Sequence, residues 1–361
     1  KTWIFGKILY KDLKMSQYNL NLYQNLYLIR RTQEEISKNY HPEDKMRCPI
    51  HLCFGQEFMP SVLGLFLKKN DAIYSHHRSH GYFLAKGGSV KEMICEFYGK
   101  ANGTNGGLAG SQELSCSKIN FNSGTILSGA FAMAVGDAYA KKINKTNSIT
   151  VTVIGDGGME EGIVYESLNL AALKKVPVLF ICENNLYSTH TRVTERVVKN
   201  NITSKVKQFG LRTLKLNSGN YEDYISRIKK EVDFVRKNKK PSFIEIDTYR
   251  LGPHVGPEED DHFKFRPSIE KNKWQKKDPL THYRKLLLKQ NINEKKLIKL
   301  EKKINDKLKE AFKFAKSSKY PKLNSALSKN YSNTFSKVVK NFFNNRADFS
   351  TIQEKHLPKP Y

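Results

Sequence analysis

The chain has 361 residues, carries 62 Lys and Arg against 35 Asp and Glu for a net charge of +27, and is 39% hydrophobic, enough for a large buried core and too apolar for a disordered polymer. No apolar run approaches the length of a membrane-spanning helix. Five cysteines, Cys48, Cys53, Cys95, Cys116 and Cys182, are odd in number and form no CxxC pair, which argues against a disulfide scaffold and a thiolate zinc site and for free thiols in a reducing compartment, the cytoplasm first and an organelle matrix second.

Residues 1–17 read as an irregular basic leader, without the apolar core of a signal peptide or the Arg/Ser bias of a transit peptide. Leu22, Leu26, Ile29 and Ile36 share one face and predict a helix over 18–39. Further helices are expected over 89–99 and 126–142, the latter with Ala130, Ala132, Ala134 and Gly136 for close packing. The β-branched run 149–154 predicts a buried strand. Ile163, Glu166, Ser167, Leu170 and Leu173 then follow at helical spacing, and 178–182 predicts a second strand. Strands over 209–216 and 242–247 bracket a helix over 221–238. This alternation predicts an α/β fold, a parallel sheet flanked by helices, over a main domain of residues 18–280. Residues 281–361 form a basic helical extension. Within it Leu297, Leu300, Ile304, Leu308 and Phe312 define an amphipathic helix that packs on the body or a partner, and 341–361 reads as a partner-contacting tail.

Chemistry concentrates between two strand ends. Gly155-Asp156-Gly157-Gly158 closes the first strand, and Asn185 follows Asp156 by 29 positions, just past the second. In a βαβ unit both ends open on the same side of the sheet, where open α/β sheets bind ligands. A carboxylate, an amide oxygen and a backbone carbonyl suit a hard cation shared with a phosphate. Glycines let backbone approach a diphosphate closely, and a helix starting after them aims free N–H groups at the anion.

These residues resemble the thiamine diphosphate motif, and the surrounding segments resemble the alpha subunit of 2-oxoacid dehydrogenases. The segments are Gly155-Asp-Gly-Gly-Met-Glu-Glu-Gly162, Tyr165-Glu-Ser-Leu-Asn-Leu-Ala-Ala-Leu-Lys-Lys-Val-Pro177 and Phe180-Ile-Cys-Glu-Asn-Asn-Leu-Tyr-Ser188. The resemblance extends to His51-Leu-Cys-Phe-Gly-Gln-Glu57, Tyr74-Ser-His-His-Arg-Ser-His-Gly81, the glycine-rich stretch 102–111, Ile126-Leu127-Ser128 and Thr248-Tyr-Arg-Leu-Gly-Pro-His254. It implies the thiamine diphosphate-binding fold in its diphosphate-binding half, with thiamine diphosphate and Mg2+ as cofactors.

Carried over by position, Asp156 and Asn185 bind the metal through side chains and Tyr187 through its carbonyl. Gly155, Gly157 and Gly158 approach the diphosphate, and Arg78 and His254 serve its phosphate side. Backbone at Thr125 and Leu127 touches the aminopyrimidine, and His51, His77 and His254 are the catalytic-pocket histidines. The implied reaction is oxidative decarboxylation of a 2-oxoacid, pyruvate first, with acyl transfer to lipoamide. The implied partners are a beta subunit that supplies the pyrimidine-activating glutamate in an α2β2 assembly, and a lipoylated acyltransferase.

Three departures bear on substrate. His77 stands where pyruvate dehydrogenases commonly have Tyr, Gln112-Glu113 where Met-His is usual, and the stretch after His254 lacks the serine-bearing loop that kinases modify. They keep open a related enzyme for acetoin, branched-chain 2-oxoacids or a specialised sugar-pathway substrate. A more remote alternative is a basic protein that keeps the fold without catalysis. The positive charge is read first as a bias of polar positions toward Lys, second as attraction to acidic lipoyl domains. No zinc finger or aromatic-interleaved RNA motif stands out, which disfavours nucleic acid as the partner.

Overall fold

The computed structural model describes residues 2–41, 46, 48–217 and 220–322, with side chains from residue 18 onward. Residues through Lys319 form one compact unit, and the sequence from 320 belongs to a second. The expected tail at 341–361 lies outside the described residues.

Helix α1 (Thr2–Asn39) is longer than the 18–39 expectation and begins where a leader without regular structure was expected. No proline interrupts the sequence before Pro42, so nothing in the backbone chemistry stops the helix earlier. Then come α2 (Phe58–Phe66), β1 (Ala72–Ser75), α3 (His80–Ala85), α4 (Val90–Phe97), β2 (Ser115–Cys116) and β3 (Phe121–Ser123). The central stretch is α5 (Gly129–Ile143), β4 (Thr150–Gly155), α6 (Gly162–Lys174), β5 (Val178–Asn184), and the small hairpin β6 (Tyr187–Ser188) and β7 (Thr191–Arg192). After α7 (Val193–Arg196) and α8 (Ile202–Lys207) come β8 (Arg212–Leu216), α9 (Tyr221–Asn238) and β9 (Ser242–Asp247). Helices α10 (Ser268–Gln275), α11 (Pro279–Lys289) and α12 (Glu294–Ser317) close the described chain.

Seven strands form one sheet in the order β2-β3-β1-β4-β5-β9-β8, parallel throughout except where β2 runs against β3. The expected parallel sheet flanked by helices is therefore present. The central strands are buried on both faces, as crossover helices require. Side chains alternate between two cores. Val151, Val153, Leu179, Ile181, Ile244 and Ile246 join the core under α1, α2, α4, α9 and α12. Ile154, Val178, Phe180, Cys182 and Phe243 face the core under α5, α6 and α8.

Strand β1 and the β2–β3 hairpin escaped the sequence reading, because strands of two to four residues are too short to reveal a period. The start of α6 also differs. A 3₁₀ turn occupies Gly157–Glu160, Glu161 is extended, and the α-helix begins at Gly162. The first N–H groups past Asp156 therefore belong to a tight turn, and the glycines that permit close approach also delay the helix.

The expected amphipathic helix is α12, packed on α4 and α1. Leu297, Ile304, Leu308, Ala311, Phe312 and Ala315 are buried, with the lysines outward. Leu308→Ala should cost about 2–5 kcal/mol, as for other large-to-small core changes. Chemical denaturation with an unchanged midpoint would mean the extension adds nothing to the body.

Candidate active site

The register of the sheet explains the spacing of the motif. Gly155 of β4 pairs with Glu183 of β5. The next residues, Asp156 and Asn184-Asn185, therefore emerge side by side at the carboxyl edge. The Asn185 backbone N–H donates to Asp156 Oδ1 at 3.3 Å, and the Tyr187 N–H donates to Asn185 Oδ1 at 3.0 Å. Leu186 and Thr189 take left-handed backbone (φ 69° and 52°), so this edge holds a tight, strained loop.

A cavity of about 260 Å3 opens here. It gathers every residue expected at the site: His51, His77, Arg78, Thr125, Leu127, Gly155, Asp156, Gly157, Gly158, Asn185, Tyr187 and His254. It adds Gln56, His76, Gln112, Ile154, Ser188, Thr189 and Arg250. Gln56, His76 and Arg250 sit inside segments whose other residues drew attention. Arg196, which pairs with Asp156, carried no sequence signal.

The cavity wall is strongly cationic. Arg78 is buried and donates to the carbonyls of Leu52 and, at 3.0 Å, His254. No carboxylate is bonded to it among the described residues. Arg250 donates to the Thr189 carbonyl at 2.9 Å and to His254 Nδ1 at 2.9 Å, while the Asp260 carboxylate it shares with Arg266 is 3.7 Å away. Burial, with repulsion from Arg250, brings Arg78 down to about 9, and burial, with repulsion from Arg266, brings Arg250 down to about 10, so both remain charged at neutral pH. Two buried guanidiniums without a dedicated carboxylate fit an anion that shares the cavity.

The glycine turn fits the same anion. A Cβ on Gly157 would lie 2.7 Å from Ser188 Oγ, so only glycine leaves this wall intact. For a cation, the cavity offers Asp156 and Asn185. The Asp156 carboxylate is buried, and burial raises its pKa while Arg196, at 2.5 Å, pulls the other way. A negative oxygen beside an amide oxygen is the donor set a hard divalent cation takes. Tyr187 points its hydroxyl away, donating to Glu270 at 2.8 Å and accepting from Arg192, which leaves its backbone for the cavity.

The three pocket histidines pack together. Ring centroids of His51 lie 4.5 Å from His77 and 5.2 Å from His254. Because a guanidinium only donates, the Arg250 contact fixes His254 with its proton on Nε2. Burial, with Arg78 adding to it, lowers His51 and His254 to about 3, and burial lowers His77 further. All three are neutral at pH 7. Their folded pKa values lie below the ordinary 6.5, so from about pH 6.5 down the unfolded chain binds protons that the native state refuses. Stability should therefore fall as pH drops through that window. In cofactor-free melts between pH 8 and 5, His77→Tyr should flatten the slope, and parallel curves for variant and wild type would refute the assignment.

A second polar structure sets the near wall. The buried Glu96 carboxylate accepts four backbone N–H groups of the glycine-rich stretch, from Asn105 (2.8 Å), Gly107 (2.9 Å), Ala109 (2.7 Å) and Gly110 (3.2 Å). Gly107 is left-handed (φ 81°), and a Cβ there would lie 2.5 Å from the Gly99 carbonyl carbon. The stretch therefore spends its donors on Glu96, and its role is to deliver Ser111 and Gln112. Gln112 Nε2 lies 3.1 Å from His51 Nδ1.

The model of a family described as dehydrogenase E1 component matches residues 24–324. The chain is 31% identical over 318 residues to the pyruvate dehydrogenase E1 component subunit alpha of Rickettsia bellii, covering 86% of this chain and 96% of that protein. It is 30% identical over 305 residues to the corresponding subunit of Zymomonas mobilis, covering 84% and 85%. It is also 30% identical over 313 residues to the chloroplastic subunit alpha-3 of Arabidopsis thaliana, covering 84% and 72%. The match runs from α1 through α12 and encloses the whole cavity, and the chain belongs to the dehydrogenase E1 component family of thiamine diphosphate-dependent oxidoreductases.

Proposed function

We propose that this chain is the alpha subunit of a pyruvate-type 2-oxoacid dehydrogenase, binding thiamine diphosphate and Mg2+ in the cavity at the carboxyl edge of β4 and β5. The observation that carries this reading is the register that sets Asp156 beside Asn185, facing buried Arg78 and Arg250. When bound, thiamine diphosphate supplies the electron sink for cleaving the bond between a 2-oxo carbon and its carboxylate. The chain's own residues bind and orient it. Asp156 and Asn185 hold the cation, Gly157 and Gly158 offer N–H groups, and Arg78, Arg250 and His254 face the phosphates. His51 and His77 stay neutral, so they can offer or accept a hydrogen bond without adding charge beside an anionic substrate.

The only carboxylate lining the cavity among the described residues is Asp156, which the metal role uses. In this reading the acid that activates the pyrimidine comes from another chain, a beta subunit that closes the site. The acyl acceptor in this reading is a lipoylated acyltransferase. Its encounter with a chain of net charge +27 should slow as salt rises from about 50 to 200 mM, and a salt-independent rate would remove the steering role.

A second reading has a specific support. His77 and Gln112 both line the cavity, and Gln112 contacts His51, so the two departures from the pyruvate-type pattern sit where substrate chemistry is decided. Small pocket changes shift preference by only about 1–3 kcal/mol each. Acetoin, branched-chain 2-oxoacids and a sugar-derived substrate therefore belong in the assay. The test is co-purification with the beta-type subunit, followed by magnesium-dependent turnover of that panel and pyruvate with a dye acceptor. Pyruvate turnover is the expected result. Cofactor binding with turnover of another panel member alone would overturn the pyruvate assignment.

A further inference from the structure

Glu183 is the next-to-last residue of β5, beside the Asn184-Asn185 pair, and is almost wholly buried. Among the described residues no Lys or Arg pairs with its carboxylate. Three side chains surround it. Tyr82 donates its hydroxyl to Oε1 at 2.8 Å, Gln56 Nε2 donates to Oε2 at 3.1 Å, and His76 Nε2 lies 3.5 Å from Oε2. The Arg78 backbone N–H donates to His76 Nδ1 at 3.0 Å, so the His76 proton sits on Nε2, facing Glu183.

The orientation of Gln56 follows from chemistry. A carboxylate only accepts, so the amide must turn its NH2 toward Glu183. Its Oε1 is then the uncommitted atom, and this oxygen is buried without a partner while Gln56, 4% exposed, lines the cavity. A buried acceptor left unmet is costly, and a donor arriving with a ligand removes that cost.

Resting on the functional reading above, we propose that Gln56 is a ligand-binding residue whose Oε1 accepts a hydrogen bond from an N–H or O–H of the bound cofactor or substrate, and that Glu183 is the positioning residue that holds the amide in that sense. The cofactor offers an amino group, and a hydroxylated substrate such as acetoin offers an O–H, whereas a 2-oxoacid anion offers no donor; the chemistry at Gln56 is the same for either donor.

The experiment uses the complex with the beta-type subunit. Thiamine diphosphate is titrated with Mg2+ by calorimetry to give Kd, and KM and kcat are measured on whichever substrate turns over. Gln56→Met keeps the volume and removes the acceptor. It should weaken one constant by about three- to ten-fold, the range of a single net hydrogen bond, and lower the melting temperature because Glu183 Oε2 also loses the Gln56 amide donor. A rise in Kd places the donor on the cofactor, and a rise in KM alone places it on the substrate; both support the proposal. Glu183→Gln keeps the shape but accepts and donates, so the Gln56 amide is free to flip; the same constant should loosen with kcat retained. Unchanged Kd and KM in Gln56→Met overturn the proposal, and in Glu183→Gln they overturn the positioning role. Should Gln56→Met fail to fold, unchanged constants in Glu183→Gln overturn the whole. A wild-type complex that binds no thiamine diphosphate overturns the functional reading itself, whereas normal wild-type binding with indistinguishable variants overturns this inference alone.

Discussion

Asp156→Ala should abolish magnesium-dependent binding of thiamine diphosphate, weakening it by about 10²- to 10³-fold, which corresponds to roughly 3–4 kcal/mol, within the range lost when one partner of a buried charge pair is removed. Asp156 is the only acid in the cavity wall among the described residues, so no neighbour can take over a cation bridging to phosphate. The variant also strands Arg196, whose guanidinium pairs with Asp156 Oδ2 and with Glu160. A freed arginine could attract the diphosphate directly. Titrations with and without Mg2+ separate the two effects: residual binding should lose its dependence on metal. Asp156→Asn controls for shape, since it keeps an oxygen near the Asn185 N–H and loses the charge. Binding as tight as wild type in Asp156→Ala, still sensitive to Mg2+, would remove this residue from the metal site.

Glu96→Gln should be the most damaging single-atom change on the near wall, at about 3–5 kcal/mol. One carboxylate serves four N–H donors at 2.7–3.2 Å, two on each oxygen. An amide can serve only the two on its oxygen, and its own NH2 confronts the other pair. The loss should appear as a lower melting temperature and as protease cleavage within 102–111. Because this stretch delivers Gln112 to His51, turnover should fall more than cofactor affinity. A variant with wild-type melting and intact protease resistance would show that the glycine-rich stretch is held by something else.

The central sheet and its two flanking layers were legible because the strands over 149–154, 178–182 and 242–247 are long, apolar and bounded by turns. The α9 boundaries match the expected 221–238, since Asn220 caps its start and Lys239 in left-handed backbone ends it. The α12 face was equally readable, as its periodicity persists over 24 residues. Short strands were not. β1 has four residues and its importance is positional: inserted between β3 and β4, it carries His76, His77 and Arg78 to the cavity edge. The glycine turn was read as opening directly into a helix, whereas Glu161 is extended and interrupts it.

By itself the sequence determined the chemistry available and its linear spacing: an acid and an amide 29 positions apart, glycines that admit a close anion, an arginine and histidines in separate segments, and a βαβ alternation that puts strand ends on one edge. Tertiary structure alone decided which of those groups share a cavity and in what state. Register placed Asp156 against Asn185, burial made the pocket histidines neutral while leaving Arg78 and Arg250 charged, and packing turned the Glu96 and Glu183 carboxylates inward to organise backbone and amide donors. The division has a physical cause. Secondary structure and motif spacing arise from interactions among near neighbours in sequence, whereas desolvation and the orientation of a buried polar group depend on atoms contributed from far along the chain.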